Sequence, residues 1–202
     1  MTRVAVLVSG GGTNLQALID AQAAGRLGSG KIALVISNRK AAYALERAKN
    51  AGIERAVLSK YMKPDPDDYD AALLDMLRAH GIDMIALAGF LGIIGPKVLA
   101  AYEGRIVNIH PALIPSFCGM GYYGLRVHEA ALARGVKVTG ATAHLVNGEV
   151  DGGPILLQKA VEVQPDDTPE TLQRRVMEQA EWEILPRAVR MISDQISNGR
   201  MN

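Results

Sequence analysis

Cysteine occurs once in the 202 residues, at Cys118. No intrachain disulfide can form and a cysteine-rich metal site is excluded; such usage fits a reducing compartment. An excess of one charge is missing as well. The formal net charge is +1 and the basic residues are scattered, so nothing favours nucleic acid or an anionic membrane as a partner. Long apolar runs are also absent. The amino end, Val4-Ala5-Val6-Leu7-Val8, is far too short to span a bilayer, and no cleavage pattern follows it. A cytoplasmic protein without membrane or nucleic-acid partners is expected. Repeats, low-complexity tracts and linker-like stretches are lacking too. With 49% hydrophobic and 21% charged residues, one domain with an ample core is the economical organisation.

What is present follows an α/β grammar. Arg3 to Ser9 is a short apolar run ending in Gly10-Gly11-Gly12, followed by a helix with Leu15, Leu18 and Ile19 on one face. Ile32 to Ile36 is a second strand, Tyr43 to Asn50 a helix stopped by Gly52. Asp65 as N-cap, Pro66 at the first position, then Asp67 and Asp68 write the start of a third helix that stops at Gly81. Asp83 to Ala88 and Arg105 to Val107 are further strands, with a short helix from Pro96 to Tyr102 between them. Continuous rather than alternating apolar strands predict a parallel sheet covered on both faces. After Ala112 the pattern changes: a glycine- and aromatic-rich loop from Pro115 to Gly124, a helix from Val127 to Arg134, and strands Ala141–Val146 and Ile155–Val163. Asn147-Gly148 between these strands reads as a tight hairpin turn. A long last helix opens at Thr168-Pro169, with Pro186 bending or dividing it. The expected fold is a single-domain Rossmann-like open sheet, parallel in its amino-terminal part, with antiparallel carboxy-terminal strands and helices on both faces.

Two places carry chemistry. The first is Ser9-Gly10-Gly11-Gly12-Thr13-Asn14, where glycines let backbone amides approach an anion at a helix amino end. No Gly-Lys-Ser/Thr follows, so it is not a P-loop. A dinucleotide fingerprint needs glycine or alanine where Leu15 stands and an acidic residue after the second strand, where the chain has Ser37-Asn38-Arg39. A single phosphate is the favoured guest; a 2′-phosphate on Arg39 and a turn without ligand are the alternatives. The second is Asn108-Ile109-His110-Pro111, answered downstream by Asp151-Gly152-Gly153-Pro154. Residues two apart in extended chain project to one side, and Pro111 keeps His110 extended. Asn108 and His110 therefore face one spot outside the carboxyl end of a strand, where open α/β sheets bind ligands. Asn offers a donor that does not titrate, and His carries a proton near neutral pH. A nearby carboxylate favours the imidazolium. Together they suit acyl transfer without a covalent intermediate, although the same residues taken alone also suit turn capping. Cys118 reads as a nucleophile or as a small packed loop residue.

Ser9 to Gln16, Ser37-Asn38-Arg39, Ala88-Gly89-Phe90, Asn108 to Pro115 and Asp151 to Pro154, in this order, resemble the phosphoribosylglycinamide formyltransferases over nearly the whole chain. The resemblance implies formyl transfer from 10-formyltetrahydrofolate, as co-substrate, to the amine of glycinamide ribonucleotide in purine synthesis, with no metal. It implies catalytic roles for Asn108, His110, Asp151 and Thr142: Asn108 and protonated His110 hold the tetrahedral oxyanion, Asp151 raises the His110 pKa and handles the amine proton, and Thr142 orders the network. Gly11, Gly12, Thr13 and Asn14 match the phosphate turn. Glu181, otherwise a solvated helix glutamate, matches the residue that reaches the ribose. Leu91, Gly92, Ile93, Ile94, Asn108, His144 and Val150 fall on the folate side, largely through backbone; for His144 a core position is the competing reading. Residues 1–107 then form a phosphate-binding half and 108–202 a catalytic and folate-contacting half of one domain, monomeric or homodimeric.

The family often has arginine where Gly92 and Ala71 stand here, and a cis bond where Ile114-Pro115 stands. Its Phe-Pro-Gly is Phe117-Cys118-Gly119 in this chain. Rival readings are a related formyl-folate hydrolase, a formyltransferase for another amine, or a non-catalytic module that binds nucleotide phosphate. Relatives such as methionyl-tRNA formyltransferase carry extra domains for which 202 residues leave no room.

Overall fold

The computed structural model describes residues 1–199. The chain runs β1 (Thr2–Val8), α1 (Thr13–Ala23), β2 (Gly30–Ser37), α2 (Ala44–Asn50), β3 (Glu54–Val57), α3 (Pro66–Ala79), β4 (Met84–Leu87), α4 (Pro96–Ala101), β5 (Ile106–His110), α5 (Leu125–Arg134), β6 (Val138–Leu145), β7 (Ile155–Glu162), α6 (Pro169–Val176) and α7 (Trp182–Ser197), with a π turn, Met177–Glu181, between the last two helices. The seven strands lie in the order β3-β2-β1-β4-β5-β6-β7. The first five are parallel, and β6 and β7 are antiparallel to their neighbours. The expected architecture is the observed one.

β1 shows why the sheet is covered on both faces. Its successive side chains alternate sides: Val4, Val6 and Val8 join Leu15 and Leu18 of α1 and Ile184, Val189 and Ile192 of α7 in one core. Ala5 and Leu7 join Leu73 and Leu77 of α3 and Val98 of α4 in the other. Burying a large aliphatic side chain of this kind contributes about 1.5–3 kcal/mol. The start of α3 is as its sequence dictates: Asp65 Oδ1 accepts from the Asp67 and Asp68 amides at 2.9 and 3.1 Å, with Pro66 in the first turn.

Three expectations are corrected. The four-residue β3 is an addition to the expected strands; it is a half-exposed edge strand whose Glu54-Arg55 carries no apolar period. Asn147-Gly148 does not make a two-residue hairpin: β6 ends at Leu145 and β7 begins at Ile155. Asn147 Oδ1 instead accepts the Glu149 amide at 3.0 Å, and its amide donates to the Gly152 carbonyl at 3.4 Å, which closes a broad loop around Asp151. Pro186 lies inside α7 rather than dividing the last helix. The irregularity falls in the π turn, directly ahead of Trp182, the residue whose carbonyl a proline at position 186 crowds.

β1 is flanked by β2 on one side and β4 on the other, so strand order reverses there. The glycine-rich turn leaves the carboxyl end of β1 at this switch point, and Asn108 and His110 sit at the carboxyl end of β5 nearby in the sheet. Ligands of open α/β sheets bind in that crevice.

Candidate active site

β5 continues through Asn108 and His110 instead of ending before them, so the two side chains share a face. Across the antiparallel seam their partners are His144 and Thr142 of β6. Asp151 arrives from the β6–β7 loop. Its Oδ2 is 3.4 Å from His110 Nδ1, and its Oδ1 is 3.5 Å from Asn108 Nδ2 and 3.6 Å from His144 Nε2. Asn108 Nδ2 also lies 3.0 Å from His144 Nε2, while His144 Nδ1 donates to the Leu145 carbonyl at 2.9 Å. His144 is thus buried, as its core reading has it, and its ring belongs to the polar cluster.

Asp151 takes a left-handed backbone, φ 56°, and accepts the Gly119 amide at 2.9 Å. Burial acts to raise its pKa, but the His144 ring, the Gly119 N–H and the His110 ring outweigh that and hold it below the usual carboxylate range. His110 runs the other way. Burial lowers its pKa more than the Asp151 charge and the Phe117 carbonyl raise it, so its value falls below that of an ordinary histidine. Asp151 does pull the His110 pKa upward, as the resemblance implied, but dehydration of the ring prevails, which corrects the expectation of a His110 already protonated at rest. An ionised carboxylate, a neutral imidazole and an amide donor converge on one spot.

Thr142 is fully buried and stands opposite His110 in the seam, but its hydroxyl bonds elsewhere than to Asn108, His110 or Asp151. Its hydroxyl donates to the Ala112 carbonyl at 2.7 Å and accepts the Ile114 amide at 3.0 Å, and Gln158 Nε2 bridges Thr142 Oγ1 and the Ile114 carbonyl at 3.0 Å each. Thr142 fixes the segment after His110. Ile114-Pro115 is cis, as the resemblance implied. Cys118 bonds its thiol to the Pro115 carbonyl at 3.3 Å, and burial together with the Asp151 charge pushes its pKa up, so the packed-loop reading holds rather than the nucleophile.

At the other end of the crevice Gly12 is the N-cap of α1 with φ 73°, and a Cβ there would lie 2.6 Å from that of Ala44. Thr13 and Asn14 begin the helix, with amides at its positive end. The Gly11 carbonyl is held by Arg47 Nε at 2.8 Å. The Asn14 side chain turns inward and donates to Glu181 Oε2 at 2.6 Å, leaving its own Oδ1 buried without a protein partner. Glu181 is buried, not a solvated helix residue; burial raises its pKa to about 7 against the opposing Asn14 bond. Leu91 and Ile93 are 51% and 65% exposed, and Val150 is exposed as well. Ile94 is 6% exposed and belongs to the core on the α3 face, so its side chain is not free to meet a ligand as those three are. The Leu91 amide is already taken by Ser9 Oγ at 2.8 Å. At Gly92 a Cβ would meet the Phe90 ring at 2.5 Å, so the ring fills the space that a larger residue would need.

Residues 2–189 match the formyl transferase family. The chain is 41% identical over 194 residues to the phosphoribosylglycinamide formyltransferase of Haemophilus influenzae, covering 96% of this chain and 88% of that one. Among solved structures it is similar to the phosphoribosylglycinamide formyltransferase of Bacillus halodurans (TM-score 0.90, 37% identity, all of both chains). It is also similar to glycinamide ribonucleotide transformylase 1 of Symbiobacterium toebii (TM-score 0.89, 44% identity, 96% and 88% of the two chains). The chain belongs to the formyl transferase family.

Several polar groups of this formyl transferase escape a reading of its sequence. The Phe117 carbonyl accepts from His110 Nε2 at 2.8 Å, and the Gly119 amide holds Asp151; backbone groups leave no mark in composition. His128 of α5 is fully buried with neither ring nitrogen partnered by protein, and burial plus the His110 ring hold its pKa at about 4. Gln158 stands opposite Thr142 in the β6–β7 register, a relation that becomes visible once the pairing is known. Among the described residues, no group of three or more His, Cys, Asp or Glu is placed to hold a metal ion. No described helix is long and apolar enough to cross a membrane.

Proposed function

We propose that this chain transfers the formyl group of 10-formyltetrahydrofolate to the amine of glycinamide ribonucleotide, in the cytoplasm. The observation that carries this reading is the meeting of Asn108, His110 and Asp151 within 3.5 Å contacts at the carboxyl end of β5, in a sheet that also presents a phosphate-competent turn at the carboxyl end of β1. The ribonucleotide phosphate sits on the amides of Gly11 to Asn14, and Glu181 meets the ribose. The pterin meets Leu91, Ile93 and Val150, whose exposed apolar side chains suit a flat ring.

The amine attacks the formyl carbon. Electrons of the C=O bond move to oxygen, and the Asn108 amide donates to the oxyanion, a contribution worth about 10²–10³ in rate for one such donor. The amine nitrogen becomes cationic and gives its proton to His110, which is neutral beforehand because its ring is dehydrated. The imidazolium so formed is paired with Asp151, helps hold the oxyanion, and passes the proton to N10 of the folate as the C–N10 bond breaks. No residue of the chain is consumed. Loss of the formyl donor, followed with and without glycinamide ribonucleotide, tests the reading. Donor loss that needs the amine is the expected result; donor loss without it marks a hydrolase, and none in either case sinks the assignment.

A further inference from the structure

We propose that the backbone carbonyl of Phe117, rather than Asp151, sets the tautomer of His110: Nε2 keeps its proton throughout, and Nδ1 is the atom that takes and returns the proton. This rests on the reading of His110 as the proton carrier and deepens it. A carbonyl only accepts, so the 2.8 Å contact to Phe117 requires the hydrogen on Nε2. Asp151 meets the other nitrogen at 3.4 Å as a nearby charge rather than as an aligned hydrogen-bond partner, and its Oδ2 is already engaged by the Gly119 amide at 2.9 Å. In the neutral ring Nδ1 therefore presents a lone pair beside an ionised oxygen. Two acceptors side by side suit an incoming primary amine, which brings two N–H groups. The same geometry keeps Nε2 from serving the substrate.

The carbonyl is held in place deliberately. Phe117 and Asp151 are the non-glycine residues with positive φ among those described, at 50° and 56°. Each offers an acceptor to one nitrogen of the same ring. Such backbone is unfavourable for residues other than glycine and persists where the surroundings over-determine it. The Phe117 ring itself packs on the core and meets Tyr122 edge-on at 6.4 Å, while the left-handed backbone aims the carbonyl at His110. Phe117 is thus a positioning residue acting through its main chain. The titratable groups facing His110 are Asp151 of the β6–β7 loop, His144 of β6 and His128 of α5, with Cys118 next to Asp151.

Nitrogen NMR of the full chain with ¹⁵N-labelled histidine tests this without depending on activity. The chain has four histidines, and His110 is assigned by comparison with His110→Asn. Expected at slightly alkaline pH is a His110 ring protonated on Nε2 and lone-paired at Nδ1; the opposite tautomer overturns the proposal. Two variants that lose the same ring then separate main chain from side chain. Phe117→Gly tolerates the left-handed backbone, whereas Phe117→Val, β-branched, does not. Phe117→Gly should keep the wild-type tautomer. Phe117→Val should mix the tautomers, lower kcat relative to Phe117→Gly by roughly tenfold or more, and alter the pH profile. A Val variant with wild-type tautomer and the Gly variant's kcat overturns the proposal. An Nε2–H ring in a protein that transfers no formyl group would instead sink the functional reading and leave the tautomer assignment standing.

Discussion

Replacing Glu181 by Gln should make the protein more stable at alkaline pH and less able to bind its ribonucleotide. Glu181 is buried at the end of the π turn, with Asn14 Nδ2 as its hydrogen-bond partner at 2.6 Å and no cation among its perturbing neighbours. Its pKa rises from 4.5 to about 7 on folding because burial penalises the charged form. A carboxylate whose folded pKa is raised contributes stability that is fully present below the unfolded pKa and is lost as pH rises through the folded one. The window is therefore from 4.5 to about 7, and at ~1.4 kcal/mol per pH unit the loss across it is about 3 kcal/mol. Glutamine keeps the shape and the acceptor for Asn14 but never ionises. Urea unfolding of both proteins from about pH 4.5 to about pH 9 isolates this group, since every other titration cancels in the difference. The variant should gain on the wild type across the window and lead by about 3 kcal/mol at the alkaline end. A difference that stays flat within ~0.5 kcal/mol would refute the reasoning. The KM for glycinamide ribonucleotide should rise in the same variant, because a strong acceptor for ribose hydroxyls is lost.

Asp151→Asn keeps a side chain that tolerates left-handed backbone, so the fold should survive while kcat falls by roughly 10²–10⁴ with little change in KM; steady-state kinetics checks this, and an unchanged pH profile would break the proposed coupling to His110. Thr142→Val strands the Ala112 carbonyl and the Ile114 amide and should cost about 1–3 kcal/mol in urea unfolding. Gly12→Ala forces a side chain into φ 73° and against Ala44. It should lower the midpoint of thermal unfolding and raise KM for the ribonucleotide, while leaving KM for the folate unchanged.

Apolar strands and charged helix starts were legible because their signals are local: Val4 to Val8 is continuous, and Asp65-Pro66 is a written beginning. Asn108 and His110 were legible because a two-residue spacing needs only an extended chain to become one face. What stayed hidden depends on distant partners. Asn147-Gly148 has the local chemistry of a tight turn, yet the loop widens so that Asp151 can reach β5 and bond Gly119. The net direction of the His110 pKa could not follow from residue types, since it is set by how completely the ring is dehydrated. Nor does any side-chain pattern announce that the Phe117 carbonyl ends on an imidazole.

The seam between β5 and β6 pairs Asn108 with His144 and His110 with Thr142. Side chains in a strand alternate faces, so a slip of one residue by β6 against β5 would carry His144 and Thr142 to the opposite face, away from Asn108 and His110. Correct pairing and assembly of the proposed catalytic set are therefore one event. A mispaired population, however compact, is silent in turnover, and specific activity becomes a direct count of chains that closed this seam in register.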